Sequence, residues 1–218
     1  MPRHMPRLDL HFAKEAQMAT EIVQAGEIAQ AKGVDEWTAK RIEFLYELAY
    51  LRVFVAWESL LEDIFLRTLC GYASRAAGRE PLICGRHHQT LMAAETALLA
   101  GQRYVLWENS WKIINRCTGH IGTAASPGNQ RVPGLQERII ASNSTRLDAF
   151  ASIRHRIVHD QEDGRQKVDI ATRLFAGRTY PASRPGKFLR DIERGTSPPR
   201  RWLDTAIGEF TGLASQMV

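Results

Sequence analysis

Residues 36–70 run for thirty-five positions without a glycine or a proline. Apolar side chains recur through this stretch at threes and fours, as at Trp57, Leu60, Leu61, Ile64 and Phe65, the period of a helix with one buried face. Gly71 is the first break. A helix of this length exceeds the usual ~11–12 residues several-fold, so the stretch is expected to be the central rod of a helical bundle.

The remaining punctuation divides the chain around that rod. No proline occurs from residue 7 to 80. Residues 12–32 carry Phe12, Met18, Ile22, Ala25 and Ala29 at helical spacing, and Gly33 ends the run; Asp35 is a suitable N-cap for the rod. Residues 72–86 read as a loop, with helices after it at 88–100 and 103–117. The second of these carries Trp107 and Trp111 one turn apart, a core pair. Residues 118–134 (TGHIGTAASPGNQRVPG) form a Gly/Ser/Pro-rich loop or lid, taken as flexible. A short helix at 135–141 and a clear one at 144–160 come next. The segment from 164 holds VDIATRLFAGRTY, compatible with a short strand pair, and then a Pro/Gly-rich stretch. Thr196 or Ser197 before Pro198 and Pro199 marks a helix start. Trp202, Ala206, Ile207, Phe210, Leu213 and Met217 then give a last helix one apolar face. The expected fold is all-α, one domain over 1–218: a bundle around one long helix, with an irregular basic segment before the C-terminal helix.

With 218 residues the chain can bury a real core without metal or disulfides. Cys70, Cys84 and Cys117 are an odd number without CxxC spacing, which argues against a disulfide framework and a cysteine zinc site. There is no long uncharged apolar run for a membrane span. The start, MPRHMPRLDLHF, lacks the apolar core of a signal peptide, so a cytoplasmic location is expected. No GxxxxGK, GxGxxG or Gly-x-Ser-x-Gly occurs, and no cofactor is expected.

Charge is uneven. Residues 164–201 hold ten basic side chains, among them Arg165, Lys167, Arg173 and Arg178, against three acids, so this segment is +7 within a chain of net +5. A basic block on a near-neutral body is the footprint of a polyanion partner, nucleic acid above all. Arginine outnumbers lysine 23 to 6 throughout, so a solvated arginine-rich loop is the competing reading.

The stretch ASIRHRIVHD (151–160) is the most informative. At ~100° per residue, Leu147, Phe150, Ala151, Ile157 and Val158 cluster, Arg154 falls among them, His159 lies on their border and His155 sits one turn before His159. Burying an unpaired guanidinium is costly, so Arg154 must meet an acid, a carbonyl or an anionic ligand. Either it pairs with a carboxylate of the long helix, Glu58 first and Glu62 next, or Arg154 and His159 together face a phosphodiester. His155 and His159 at i, i+4 match half a metal site, but no HExxH and no third ligand is present, so no metal is expected.

RHRIVHD resembles the Arg-x4-6-His motif of the HEPN superfamily, with a polar residue, His155, after the arginine. YLRVFVAWESLLEDIFLRTL is similar to the long second helix of bacterial HEPN proteins, with Trp57, Glu58 and Glu62 in its aromatic–acid pattern. The likeness is nearest to the toxin and phage-defence branch (RiboL-PSP-HEPN) and covers roughly residues 36–160. It implies a helical bundle, a homodimer pairing two Arg/His sets in one cleft, and metal-independent RNA cleavage with Arg154 and His159 as catalytic residues. His155 and Glu58 would support them, with Arg165, Lys167, Arg173 and Arg178 on the RNA path. An antitoxin or other regulatory protein is a further implied partner. The other possibility is a non-catalytic HEPN-like module for dimerisation or for binding a nucleotide or protein.

Overall fold

The rod is confirmed, and its start shows how the local sequence sets it. Thr38 Oγ1 accepts a hydrogen bond from the Arg41 amide at 3.4 Å, capping a helix that begins at Ala39. Thr38, three residues beyond the expected Asp35, therefore serves as the N-cap. The computed structural model describes residues 3–123, 130–159 and 161–218. In chain order the helices are α1 (Leu8–Ala31), α2 (Ala39–Leu69), α3 (Leu91–Leu99), α4 (Ser110–His120), α5 (Leu135–Ser142), α6 (Ser144–Val158), α7 (Glu162–Ala176), α8 (Pro185–Arg190) and α9 (Trp202–Met217). The only sheet among the described residues is a two-stranded antiparallel one, β1 (Ala73–Ser74) with β2 (Gly78–Arg79). The fold is all-α. Among the described residues, no helix is long and apolar enough to cross a membrane.

The chain divides into two compact units, and α2 contributes to both. The first comprises Met1–His11, Glu58–Leu147 and Gly212–Val218. Its core is the second half of α2, where Phe65 lies edge-on to Trp107 (5.4 Å) and to His120 (5.6 Å). The loop after α2 is held from several sides. The amides of Met5 and Ala73 donate to Ala73 O and Arg3 O, and that of Arg75 to Val218 O. Helix α5 starts after Gly134, which has no capping side chain. Glu80, 55 positions away, supplies the acceptor for the Leu135 amide at 2.5 Å.

The second unit comprises Phe12–Trp57 and Asp148–Thr211. Its core is aromatic: Phe12, Tyr46, Tyr50, Phe54, Phe150, Phe188 and Phe210 are fully buried. Phe210 stacks on Trp57 (5.0 Å) and Phe175 on Phe150 (4.6 Å). The buried Tyr50 hydroxyl donates to the Phe150 carbonyl at 2.8 Å, which ties α6 to the rod without leaving a polar group unsatisfied. Helices α1 and α2 cross closely at Gly26, where a Cβ would lie 2.6 Å from the Leu45 side chain.

Several local expectations are corrected. The segment 164–201 is not an irregular excursion: its first part is α7, amphipathic with Val168, Ala171 and Thr172 buried, and the expected strand pair is absent because those residues follow the helical period. Residues 103–109 are not helical; α4 begins at Ser110, after Asn109 accepts from the Lys112 amide. The last helix starts at Trp202 rather than at Pro198, with Asp204 accepting from the Arg201 amide. Trp107 is buried as expected, but Trp111 is 68 % exposed. Met18 and Ile22 also face outward, since α1 buries Phe12, Ala16, Ala19 and Val23 instead. Part of the expected lid, residues 124–129, lies outside the described residues.

Candidate functional site

Helix α6 carries the Arg/His pair, and its buried stripe decides where each side chain goes. Phe150 and Ile153 are fully buried, whereas Val158 is 47 % exposed. The apolar face is therefore turned toward Ile153, leaving the half-buried Arg154 at one edge with its Nε enclosed. His159 follows the last helical residue. Its amide still donates to the His155 carbonyl at 2.9 Å, and the side chain is exposed. Five residues of helical advance separate the two positions by about 140°. Within one chain, then, Arg154 and His159 leave α6 in different directions, Arg154 toward the interior and His159 toward solvent. His159 is not on the border of the apolar stripe.

His155 joins His159 rather than Arg154. Their imidazole rings lie 4.9 Å apart at 49°. His155 Nε2 is enclosed and has no hydrogen-bond partner among the described residues. The first turn of α7 passes alongside: a Cβ at Gly164 would sit 3.5 Å from the His159 carbonyl and 3.7 Å from the His155 ring. Asp163, in the same turn, bonds Lys167 at 2.9 Å. That contact, with His155 adding to it, holds the Asp163 carboxyl below its usual range. Asp163 and Lys167 are thus neighbours of the histidine pair, which their position after the motif did not signal. Arg156 is half-buried and acts electrostatically on Glu47 of α2. Glu58 is half-buried on α2 in the first unit.

The basic segment is the larger surprise. Arg165 pairs with Glu162 (3.4 Å), Lys167 with Asp163, and Arg178 with Asp191. Arg184 pairs with Glu43, and both Arg190 (2.9 Å) and Arg201 (3.4 Å) reach Glu27. Arg200 lies 3.5 Å from Glu193. Much of the positive excess is therefore matched within the chain: Arg165, Lys167, Arg178 and Arg200 pair with acids close by in sequence, whereas Arg184, Arg190 and Arg201 reach Glu43 of α2 and Glu27 of α1, which local sequence gives no means of finding. Of the ten basic side chains, Arg173, Lys187 and Arg194 have no ion pair among the described residues. Arg173 lines an open groove along α7, but Glu162, Asp163 and Asp169 line it too.

Among the described residues, no three His, Cys, Asp or Glu side chains cluster as metal ligands would. No family model, curated protein or solved structure matches the chain.

Proposed function

We propose that the protein is a metal-independent endoribonuclease of toxin or phage-defence type, working as a homodimer in which two Arg154/His159 sets share one cleft. The observation that carries this reading is the geometry at the end of α6: an exposed imidazole, buttressed by a second, five residues after a half-buried arginine. Because the two leave the helix about 140° apart, a complete set needs a second copy to bring an arginine and a histidine together.

The chemistry suits these groups. An imidazole takes the proton from the ribose 2′-OH as that oxygen bonds phosphorus, and the bond from phosphorus to the 5′-oxygen breaks. A second imidazole protonates the departing 5′-oxygen. Arginine stabilises the added charge on the phosphorane. The products are a 2′,3′-cyclic phosphate and a 5′-hydroxyl. The test is incubation of the purified chain with cellular RNA in EDTA, followed by analysis of the new 3′ ends. Cyclic phosphate ends, spared DNA and inactive His159→Ala support the assignment; equal cleavage by wild type and His159→Ala overturns it.

A second reading, a non-catalytic helical module for dimerisation or for binding a nucleotide or protein, is favoured by one observation. Most of the basic segment's charge is engaged inside the chain rather than displayed to a polyanion.

A further inference from the structure

Away from the histidine pair, the second unit holds a small pocket that the proposed reaction does not use. It opens where the end of α7 meets the segment leading into α9, with a volume of about 110 Å³. Phe175 and Trp202 form an aromatic wall, 5.8 Å apart at 41°, and Phe188 stacks on Trp202 at 5.3 Å. Ala176 adds an apolar patch, and Arg178, Asp191, Glu193 and Arg194 bring the polar groups. The two acids are already engaged. Asp191 accepts from Tyr180 and pairs with Arg178, while Glu193 accepts from Thr205 at 2.6 Å and lies 3.5 Å from Arg200. Donors are what remain. Trp202 is 5 % exposed, and its indole Nε1 is enclosed with no hydrogen-bond partner among the described residues. Arg194 is exposed and has no ion pair among them. An indole N–H and a guanidinium can only donate, and a buried donor left unmet is costly. The pocket therefore suits a flat ring that carries carbonyl oxygen and is linked to an anion.

We infer that this pocket receives one pyrimidine base of a single-stranded RNA, with the ring against Phe175, a ring carbonyl accepting from Trp202 Nε1, and the phosphate at Arg194. Size selects the base: an apolar cavity of about 150 Å³ takes one benzene ring, so a six-membered ring matches this pocket and a two-ring purine exceeds it. Aromatic faces are the common means of holding unpaired bases. The position along the α6–α7 pair suits a substrate strand. Phe150 of α6 stacks on Phe175 at 4.6 Å. Nine residues further along the chain comes His159, whose carbonyl lies beside Gly164 in the first turn of α7. About 13 Å of helical rise separates the two places. A strand with its scissile phosphate at His159, laid along α7, reaches the pocket a few nucleotides away. Resting on the ribonuclease reading above, this placement adds to it a preference for a pyrimidine at a fixed distance from the cut.

The test reads binding rather than cleavage, so the two readings fail separately. Oligouridylate and oligoadenylate, both 2′-O-methylated and so without the attacking hydroxyl, are titrated against the full chain. Wild type should bind the uridylate about fivefold more tightly, the worth of one neutral hydrogen bond. Trp202→Phe, which keeps a ring and loses the N–H, should abolish that preference. So should Ala176→Leu, which fills the pocket and serves if Trp202→Phe folds poorly. Arg194→Ala should weaken both oligomers equally, as loss of a phosphate contact does. His159→Ala should keep the preference. Equal affinity for the two oligomers in wild type, or a preference that survives both pocket variants, would overturn the inference. Uridine 5′-monophosphate binding as tightly as the oligomer would overturn it too, since the occupant would then be a free nucleotide. A pyrimidine preference in a protein that cuts no RNA would uphold the pocket and remove the nuclease.

Discussion

The His155 and His159 rings lie one helical turn apart, centres 4.9 Å from each other and tilted by 49°, and only His159 is exposed. Enclosure of Nε2 makes His155 a poor proton carrier and a good support. If His159 is the proton-transfer group, His159→Ala should lower metal-free RNA cleavage by about 10²–10⁴-fold. His155→Ala should lower kcat by about tenfold with little change in KM, since misorienting a catalytic group costs rate before affinity. His155→Phe, which keeps a ring beneath His159, should recover most of that loss. Single-turnover and steady-state cleavage of a short RNA measure all three.

Asp191 joins the C-terminal end of α7 to the end of α8. It accepts a hydrogen bond from Tyr180, and Arg178 pairs with it. Burial pulls the Asp191 carboxyl up, but the Tyr180 hydroxyl and the Arg178 guanidinium together outweigh it, so the group sits below its usual range. Burial, with Asp191 adding to it, pushes the Tyr180 hydroxyl up to about 12. A carboxyl held low in the folded state contributes stability above the unfolded value near ~3.9 and loses it as pH falls through the folded one. Asp191→Asn should therefore cost about 1.5–3 kcal/mol at neutral pH. In urea unfolding the gap from wild type should stay constant between about pH 5 and 7 and narrow below about pH 4.

Gly186 is where α8 comes closest to the rod. Its amide donates to Glu47 Oε1 at 2.9 Å, and a Cβ there would fall inside van der Waals contact of the Glu43 carbonyl. That carbonyl is rigid helix backbone and cannot move aside as a flexible side-chain tip could. Gly186→Ala should destabilise the protein by about 1–3 kcal/mol through overpacking, visible as a lower thermal midpoint. Gly208→Ala is the control, because nothing lies within 4 Å of a Cβ at that helical position.

How much could be read from the chain depends on the range of the forces involved. The α2 helix was legible because a 3.6-residue apolar period is a local signal that thirty-odd residues repeat. Which side of a helix turns inward was not always so. Met18 and Ile22 have the same period as the buried Ala19 and Val23, and which face turns inward is settled by the packing of α1 on α2, close at Gly26 and with Phe12 against Trp57. Trp111 fails for a similar reason: one turn from the buried Trp107, it lies in the first turn of α4, which begins later than its pattern suggested. The Arg154 and His159 positions and the neighbouring His155 could be found from their spacing on α6, but the enclosure of His155 Nε2 and the approach of α7 depend on a tertiary arrangement that no short window encodes.

The basic segment shows the same limit in electrostatic form, and it separates two roles that composition lumps together. Arg190 donates to both Glu27 oxygens at 2.9 and 3.0 Å from a partly buried position, and the Tyr46 hydroxyl donates to the same carboxylate at 3.1 Å. Arg173 has no ion pair among the described residues and lines the groove on α7. Removing Arg190 leaves an enclosed carboxylate short of its main donor, so Arg190→Ala should destabilise the fold by about 1.5–3 kcal/mol. After correction for the folded fraction, its RNA affinity should be unchanged. Arg173→Ala should change the unfolding free energy by no more than about 0.5 kcal/mol. If RNA lies along α7, the same variant should weaken binding uniformly across sequences and reduce the salt dependence of log Kd by about one. Paired melts and salt-titrated binding on the two variants measure the contrast. Equal salt dependence in wild type and Arg173→Ala would remove α7 from the RNA path and leave the segment's arginines with a structural role alone.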